Sequence, residues 1–311
     1  MIIQCPIPKI LLPVDGSENA RRAVEFTGCL GRLIGKSLAK VTLLHVMPDT
    51  YLGRHSDYKD FRSKIVKQSE AVKKLRARHI EKDVKPFMDE AEKILKDEGI
   101  NTSIELVIIE GDLSHEIIRI AEEGNYSTIM MARKEHAEPM DFLTGVTNKV
   151  VHAATKHTVY VVGLKVIQGK KCPIPNILVT VDGSEHSMKG VEHAACLAGT
   201  LSGMISEITL LKVINTDRPE ESEDQEKEAR RILDEAKKIF LQAGVSESLI
   251  TVRLRTGKPA NEIVKEVEEK NCNLIIIGRK GRSAIKDLIL GGVSTSVLHN
   301  CPDPTIAIVS N

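Results

Sequence analysis

Along the chain, short runs rich in Ile, Val and Leu alternate with longer stretches whose apolar residues recur every three or four positions. This is the rhythm of βαβ units, in which a helix crosses back over the sheet between parallel strands. The runs predict strands at residues 9–14, 40–47, 103–109, 127–132 and 158–162, then at 176–181, 207–214, 250–255, 274–278 and 305–309. Most are apolar on successive rather than alternate residues, which marks strands covered on both faces. Helices are predicted between them, among them 18–34 and 185–201. Each of those two opens after Asp-Gly-Ser, where Ser17 or Ser184 is a natural N-cap.

The two sets of strands are copies of one another. CPIPKILLPVDGSENA at Cys5 returns as CPIPNILVTVDGSEHS at Cys172, an offset of 167 that holds through the second strand. The offset is then 146, pairing Gly111 with Gly257 and Ala132 with Gly278, and later 147, pairing His152 with His299. A repeat this long is a duplicated domain rather than a solenoid unit. The expected fold is α/β: two tandem doubly wound domains, each a five-stranded parallel sheet of order 3-2-1-4-5 with helices on both faces. The domains are placed at 1–165 and 172–311, joined by a short polar linker. The fall in offset from 167 to 146 gives the first copy 21 extra residues between strands two and three. That region, about 54–98, is highly charged, with Ile65, Val72, Leu75 and Ile80 at helical spacing. It reads as one or two long helices with a solvated outer face, either a tolerated insertion or a partner-binding arm.

Composition narrows the function classes. With 44 basic and 43 acidic residues the net charge is +1, so no broad field draws nucleic acid or a membrane surface. Aromatics are 3% with no Trp, leaving few platforms for base stacking. The N-terminus lacks the basic start and apolar core of a secretory signal, and no apolar run approaches the ~20 residues of a membrane helix. The expectation is a soluble, cytoplasmic protein. Cys5 and Cys172, like Cys29 and Cys196, are repeat equivalents, and no CxxC occurs, so reduced buried thiols are expected. His45 becomes Lys212 in the other copy, and no Ser/His/Asp set, paired carboxylates or Cys/His metal spacing stands out. Gly163 to Lys171 looks like a phosphate loop only superficially, with one spacer too many and no final Ser or Thr. The sequence shows no catalytic engine.

In a doubly wound sheet, ligands bind beyond the carboxyl ends of the strands, where strand order reverses. For the second copy that crevice lies between Thr180-Val181-Asp182-Gly183 and Ile277-Gly278-Arg279-Lys280-Gly281. Nine residues on, Gly291-Gly292-Val293-Ser294 opens the next helix. The amides of two glycine turns and a helix N-terminus make an anion nest, with Arg279, Lys280 and Arg282 adding positive charge. Asp182 can accept from a ribose hydroxyl or an adenine amino group, although Asp182-Gly-Ser184 also serves as turn and helix cap. Val213, ending strand two, offers an apolar wall or is plain core.

At these residues the chain resembles the universal stress protein family in its tandem two-domain form, over nearly its whole length outside the 54–98 insertion. The family's nucleotide signature, G-x2-G-x9-G-(S/T), is matched at Gly278, Gly281 and Gly291, with Gly292 in place of the final Ser or Thr and Ser294 as a partial stand-in. The resemblance implies that Thr180, Asp182, Val213 and Ile277 face adenosine, and that Gly278, Gly281, Gly291, Gly292 and Val293 face phosphates, with Val181 also counted among the cofactor-binding residues. The implied ligand is ATP or AMP, with ADP also open and Mg2+ accompanying ATP. It also implies that the two copies pair as a fused dimer through residues 158–162 and 305–309, with further homodimerisation open.

The first copy breaks the signature, with Ala132 and Glu135 for Gly278 and Gly281 and with Glu138, Pro139 and Asp141 in a loop one residue shorter. A carboxylate within ~4 Å of a phosphate costs roughly 4 kcal/mol at an effective dielectric of ~20, so a triphosphate is not expected there. A weaker adenosine or AMP site at Pro13, Asp15 and Val46 remains open. Three functions stay in play: a nucleotide-binding stress-response regulator, a slow ATPase or phosphotransferase with Asp287 as nearest acid, and a nucleotide-independent scaffold using the charged arm.

Overall fold

A computed structural model describes residues 7–48, 70–133, 145–165, 174–201, 203–216, 222–281 and 290–310. In the first half, β1 (Lys9–Pro13), α1 (Glu18–Ile34) and β2 (Lys40–Pro48) are followed by α2 (Glu70–His79) and α3 (Lys85–Asp97). Then come β3 (Ser103–Gly111), α4 (Leu113–Glu123), β4 (Thr128–Ala132), α5 (Val146–Ala153) and β5 (Thr158–Val162). The second half repeats the plan with β6 (Asn176–Thr180), α6 (Glu185–Thr200), β7 (Glu207–Asn215), α7 (Ser222–Gln242) and β8 (Ile250–Gly257). It ends with α8 (Pro259–Glu269), β9 (Leu274–Gly278), α9 (Gly292–Asn300) and β10 (Thr305–Val309).

All ten strands form one sheet of order β3-β2-β1-β4-β5-β10-β9-β6-β7-β8, so each half has the expected order 3-2-1-4-5. Ile10, Leu11 and Leu12 of β1, like Leu274 through Ile276 of β9, are wholly buried, as strands with helices on both faces must be. One apolar layer gathers α1, α3, α6 and α7 on one face of the sheet. The other gathers α4, α5, α8 and α9. The Asp-Gly-Ser turn acts in both halves as the sequence suggests. Asp15 Oδ1 accepts from Ser17 N at 3.0 Å and Asp182 Oδ1 from Ser184 N at 2.8 Å. Ser17 and Ser184 then cap α1 and α6 through the amides of Ala20 and Ser187. Gly16 and Gly183, at φ +77° and +81°, take the left-handed conformation this turn needs.

The halves meet where the last strands pair antiparallel, with Tyr160 opposite Ala307. Those two residues hold the same place in the two copies, so a pseudo-twofold axis passes between them. The axis is not symmetric in its side chains. Tyr160 is fully buried and shares a 2.6 Å hydrogen bond with His193 Nε2, while its ring lies 6.5 Å from that of Phe26. Phe26 and His193 are themselves repeat equivalents. Just past β5, a methyl group on Gly163 would sit 2.1 Å from the Asp303 carbonyl oxygen and 2.5 Å from the Pro304 carbonyl, all backbone of the other half. Gly163→Ala is therefore expected to destabilise the protein by about 2 kcal/mol through overpacking. The denaturant midpoint measures it.

In the region 54–98 the structure has two helices, α2 and α3, with mostly exposed outer faces. Residues 49–69 lie outside those described, and the inner face of α3 is part of the core. Met88, Ala91 and Leu95 are 1%, 6% and 0% exposed and pack into the core, as Leu233, Ala236 and Phe240 of α7 do in the second half. A single turn of π-helix, Ile80–Val84, joins α2 to α3. Along α2, Val72 is buried and Leu75 is 45% exposed.

Candidate functional site

The crevice predicted from strand order lies beyond the carboxyl ends of β6 and β9, which are neighbours in the sheet. Three segments converge there. The Asp182 carboxylate lies against Gly281, where a methyl group would come within 2.5 Å of Oδ2. The Ser184 hydroxyl donates to the Lys280 carbonyl at 3.2 Å, and the Gly291 amide donates to the Arg279 carbonyl at 2.9 Å. The turn after β6, the turn after β9 and the start of α9 are thereby tied together. From β7, Lys212 Nζ donates to the Asp182 carbonyl at 3.2 Å and fixes the Asp-Gly-Ser turn from the side.

The first turn of α9 opens into this crevice. Gly291 is its N-cap, at φ −71° and ψ 147°, and no side chain caps it. Its first-turn amides and the positive end of the helix dipole suit an anion, an effect typically of 0.3–1 kcal/mol at an exposed end. Gly292 is exposed, with open space around the position a methyl group would take, and Val293 is 37% exposed. Thr180 and Val213 are partly exposed, and Val213 packs against the apolar layer that contains Ile277 and Leu290.

Three expected contacts are placed differently, and a fourth, Gly278, has a packing reason of its own. Val181 is 2% exposed and belongs to the layer on the opposite face from Ile277 and Val213, because successive residues of an extended chain point to opposite sides. Gly278 lacks a side chain for packing: a methyl group there would meet the backbone of His186 and Ser187 at 2.7 Å, so the glycine admits α6. Ser294 is 3% exposed and its hydroxyl donates to the Gly278 carbonyl at 2.9 Å, as Thr147 does to Ala132 in the first half. Arg279 is 1% exposed and leaves the crevice altogether. It crosses to the first half and donates to the carbonyls of Val151, His152 and Ala154 at the end of α5, and to Ser310. Burial pulls its pKa down to about 10, so it stays charged at neutral pH.

Other contributors were not singled out in the sequence. The Ser187 hydroxyl accepts from the amides of Asp182 and Gly183, at 3.3 and 3.1 Å, and so stiffens the turn. His186 titrates below the usual histidine range, chiefly through burial; Lys280 and Arg279 lower it further, while Glu185 and Asp182 work against the shift. The signal for both was the mismatch between copies, which place Asn19 and Ala20 there. The same end of the sheet in the first half is more acidic. Asp112 caps α4 through the His115 amide at 2.9 Å, whereas Lys258 stands at the cap of α8, which has no side-chain cap and begins with Pro259. His45 Nδ1 donates to the Val14 carbonyl at 2.9 Å, where Lys212 does the equivalent service. Val46 is 6% exposed, and so closed in, while its counterpart Val213 is partly open. The loops 134–144 and 282–289 lie outside the described residues, so Lys134, Glu135, Glu138, Pro139, Asp141, Arg282 and Asp287 have no placement. The same holds for Cys5 and Cys172; Cys29, Cys196, Cys272 and Cys301 are buried thiols outside any disulfide.

Among the described residues no three His, Cys, Asp or Glu side chains gather as a metal site. No described helix is long and apolar enough to cross a membrane.

Comparisons with known proteins agree with this architecture. The sequence profile of the universal stress protein family matches residues 6–163 and again 173–308. A universal stress protein of Bacillus subtilis is 32% identical over 142 residues, covering 40% of this chain and 94% of its own length. One of Methanocaldococcus jannaschii is 29% identical over 139 residues, covering 42% of this chain and 80% of its own. Among solved structures, a universal stress protein from Archaeoglobus fulgidus superposes over 97% of this chain and 96% of its own, with a TM-score of 0.68 at 21% identity. At that identity the likeness speaks for the fold. The chain belongs to the universal stress protein family, with two copies of the family's fold in tandem.

Proposed function

We propose that this protein is a nucleotide-binding regulator of the stress response that holds one adenine nucleotide, ATP or AMP, in its second half. The observation that carries the reading is the contact between Asp182 and Gly281 beside the uncapped first turn of α9. A carboxylate for the nucleoside and bare amides for the phosphates then stand a few ångströms apart. Partly open Val213 supplies apolar surface for the base, and Lys212 and Lys280 add positive charge. A divalent cation would enter with the triphosphate, held mostly by phosphate oxygens and water, as Mg2+ commonly is. In the first half, Glu135 replaces Gly281, and the acidic residues of that loop oppose phosphate. That half serves the fold and the pairing.

Calorimetric titration with ATP and with AMP tests the proposal. One site per chain is expected; two equal sites, or none, would overturn it. Gly292→Ser gives a second reading. The space beside Gly292 is empty, so a hydroxyl fits without strain and supplies one more donor to a phosphate. Affinity for ATP is expected to rise about fivefold, near the net value of one ordinary hydrogen bond, about 1 kcal/mol.

A further inference from the structure

We infer that the helix receiving the phosphates in the second half is positioned from the first half, by Arg133. This rests on the reading that the N-terminus of α9 meets the nucleotide. Arg133 directly follows β4, at the base of the loop that has lost its glycines. Arg133 is 6% exposed, and its guanidinium crosses the pseudo-twofold axis. There it donates to the carbonyl of Leu298 at 2.9 Å and to that of Cys301 at 3.3 Å, the last turn of α9. Arg279 does the same for α5 in the opposite direction. Each half thus closes the carboxyl end of the other half's final helix.

Helix α9 has nine residues and is about 14 Å long, too short to bend between its ends. At its amino end, Ser294 on the Gly278 carbonyl and Gly291 on the Arg279 carbonyl set its position over the crevice. At its carboxyl end, Arg133 supplies the donors that the last-turn carbonyls lack, with a positive charge that complements the dipole. A shift or tilt at one end is carried to the amides of Gly292 and Val293 at the other. The loop residues point the same way. Gly278-Arg-Lys-Gly281 corresponds to Ala132-Arg-Lys-Glu135, so the first half has kept the Arg-Lys pair and lost both glycines. The retained arginine faces its partner half; the lost glycine corresponding to Gly281 faced its own crevice. Arg133 is a positioning residue for the second half's site, and the first half is needed to complete that site.

The test measures affinity for ATP and for adenosine in Arg133→Met, Arg133→Lys and Tyr160→Phe, with hydrogen exchange of peptides covering residues 290–300. Adenosine lacks the phosphates that α9 would hold, so the ratio of the two affinities reports on the helix rather than on general loosening. In Arg133→Met the ratio is expected to fall about five- to tenfold, within the usual range of coupling between distinct sites. Arg133→Lys is expected to restore much of it, and Tyr160→Phe, at the same junction but away from α9, to leave it unchanged. Equal loss of ATP and adenosine affinity, or no loss, would overturn the inference. Should Arg133→Met not fold, Arg133→Gln is read on the same ratio. If the unaltered protein binds neither ligand, the proposed function fails, and exchange then decides the inference alone. Faster exchange at the start of α9 in Arg133→Met than in Tyr160→Phe supports it; equal rates refute it.

Discussion

Gly281→Glu is expected to abolish ATP binding. The new side chain would start 2.5 Å from Asp182 Oδ2, and that carboxylate is held in place by the Ser184 amide at 2.8 Å. Two carboxylates would then share the space proposed for a nucleoside and its phosphates. At ~4 Å and an effective dielectric of ~20, one added negative charge costs a phosphate group roughly 4 kcal/mol, about a thousandfold in affinity. Lys280, the adjacent cation, recovers only part of that, since it is only partly buried and well screened. Gly281→Ala separates crowding from charge and should weaken binding by far less, because the group it meets is the end of a side chain. Calorimetry on the two variants decides the matter. If Gly281→Glu binds ATP as the unaltered protein does, the crevice between β6 and β9 is not the site.

The second large effect concerns acid. His193 is 4% exposed, and burial pulls its pKa from 6.5 down to about 4. Below pH 6.5 the unfolded chain takes up a proton that the folded chain refuses until about pH 4. Stability contributed by the neutral imidazole is therefore present above pH 6.5 and drains away as the pH falls toward 4, by a total on the order of 3 kcal/mol. His193→Phe, which copies Phe26 of the first half, removes that titration. It also removes the hydrogen bond between Tyr160 and His193, a loss of about 1–2 kcal/mol that does not vary with pH. The double variant with Tyr160→Phe removes both. Urea unfolding at pH 7, 5.5 and 4.5 should show the unaltered protein losing stability faster than either variant. Parallel loss in all three proteins would show that the Tyr160–His193 pair carries no acid sensitivity.

Much of the fold could be read from the chain because its strands are apolar on both faces and its turns carry their own chemistry. Asp-Gly-Ser specifies a left-handed glycine and a cap wherever it follows a strand, and it does so twice. Strand ends were less legible. β3 and β8 run on to Gly111 and Gly257, two residues past their apolar runs, because the ladder to β2 and β7 is made by backbone groups and ignores Glu110 and Thr256. The site was legible as a place but not in its orientations. Spacing puts Arg279 in a glycine loop, yet only the packed structure reveals that the end of α5 lies within its reach. Val181 is the opposite case: strand alternation already sends it away from Val213 and Ile277. Gly278 follows from neither, since the approach of α6 to β9 is a tertiary fact.

In a symmetric dimer any residue on the twofold axis faces itself, and any change arrives twice at one spot. A tyrosine at position 160 would meet a second tyrosine, and an alanine a second alanine. Joining two copies in one polypeptide lifts that restriction, so large can face small and phenylalanine can answer histidine around a shared ring. The same freedom lets one loop decay while its neighbour is kept. The junction between Tyr160 and Ala307 thus records when the copies stopped being interchangeable: from then on, each could be selected for what the other did not do.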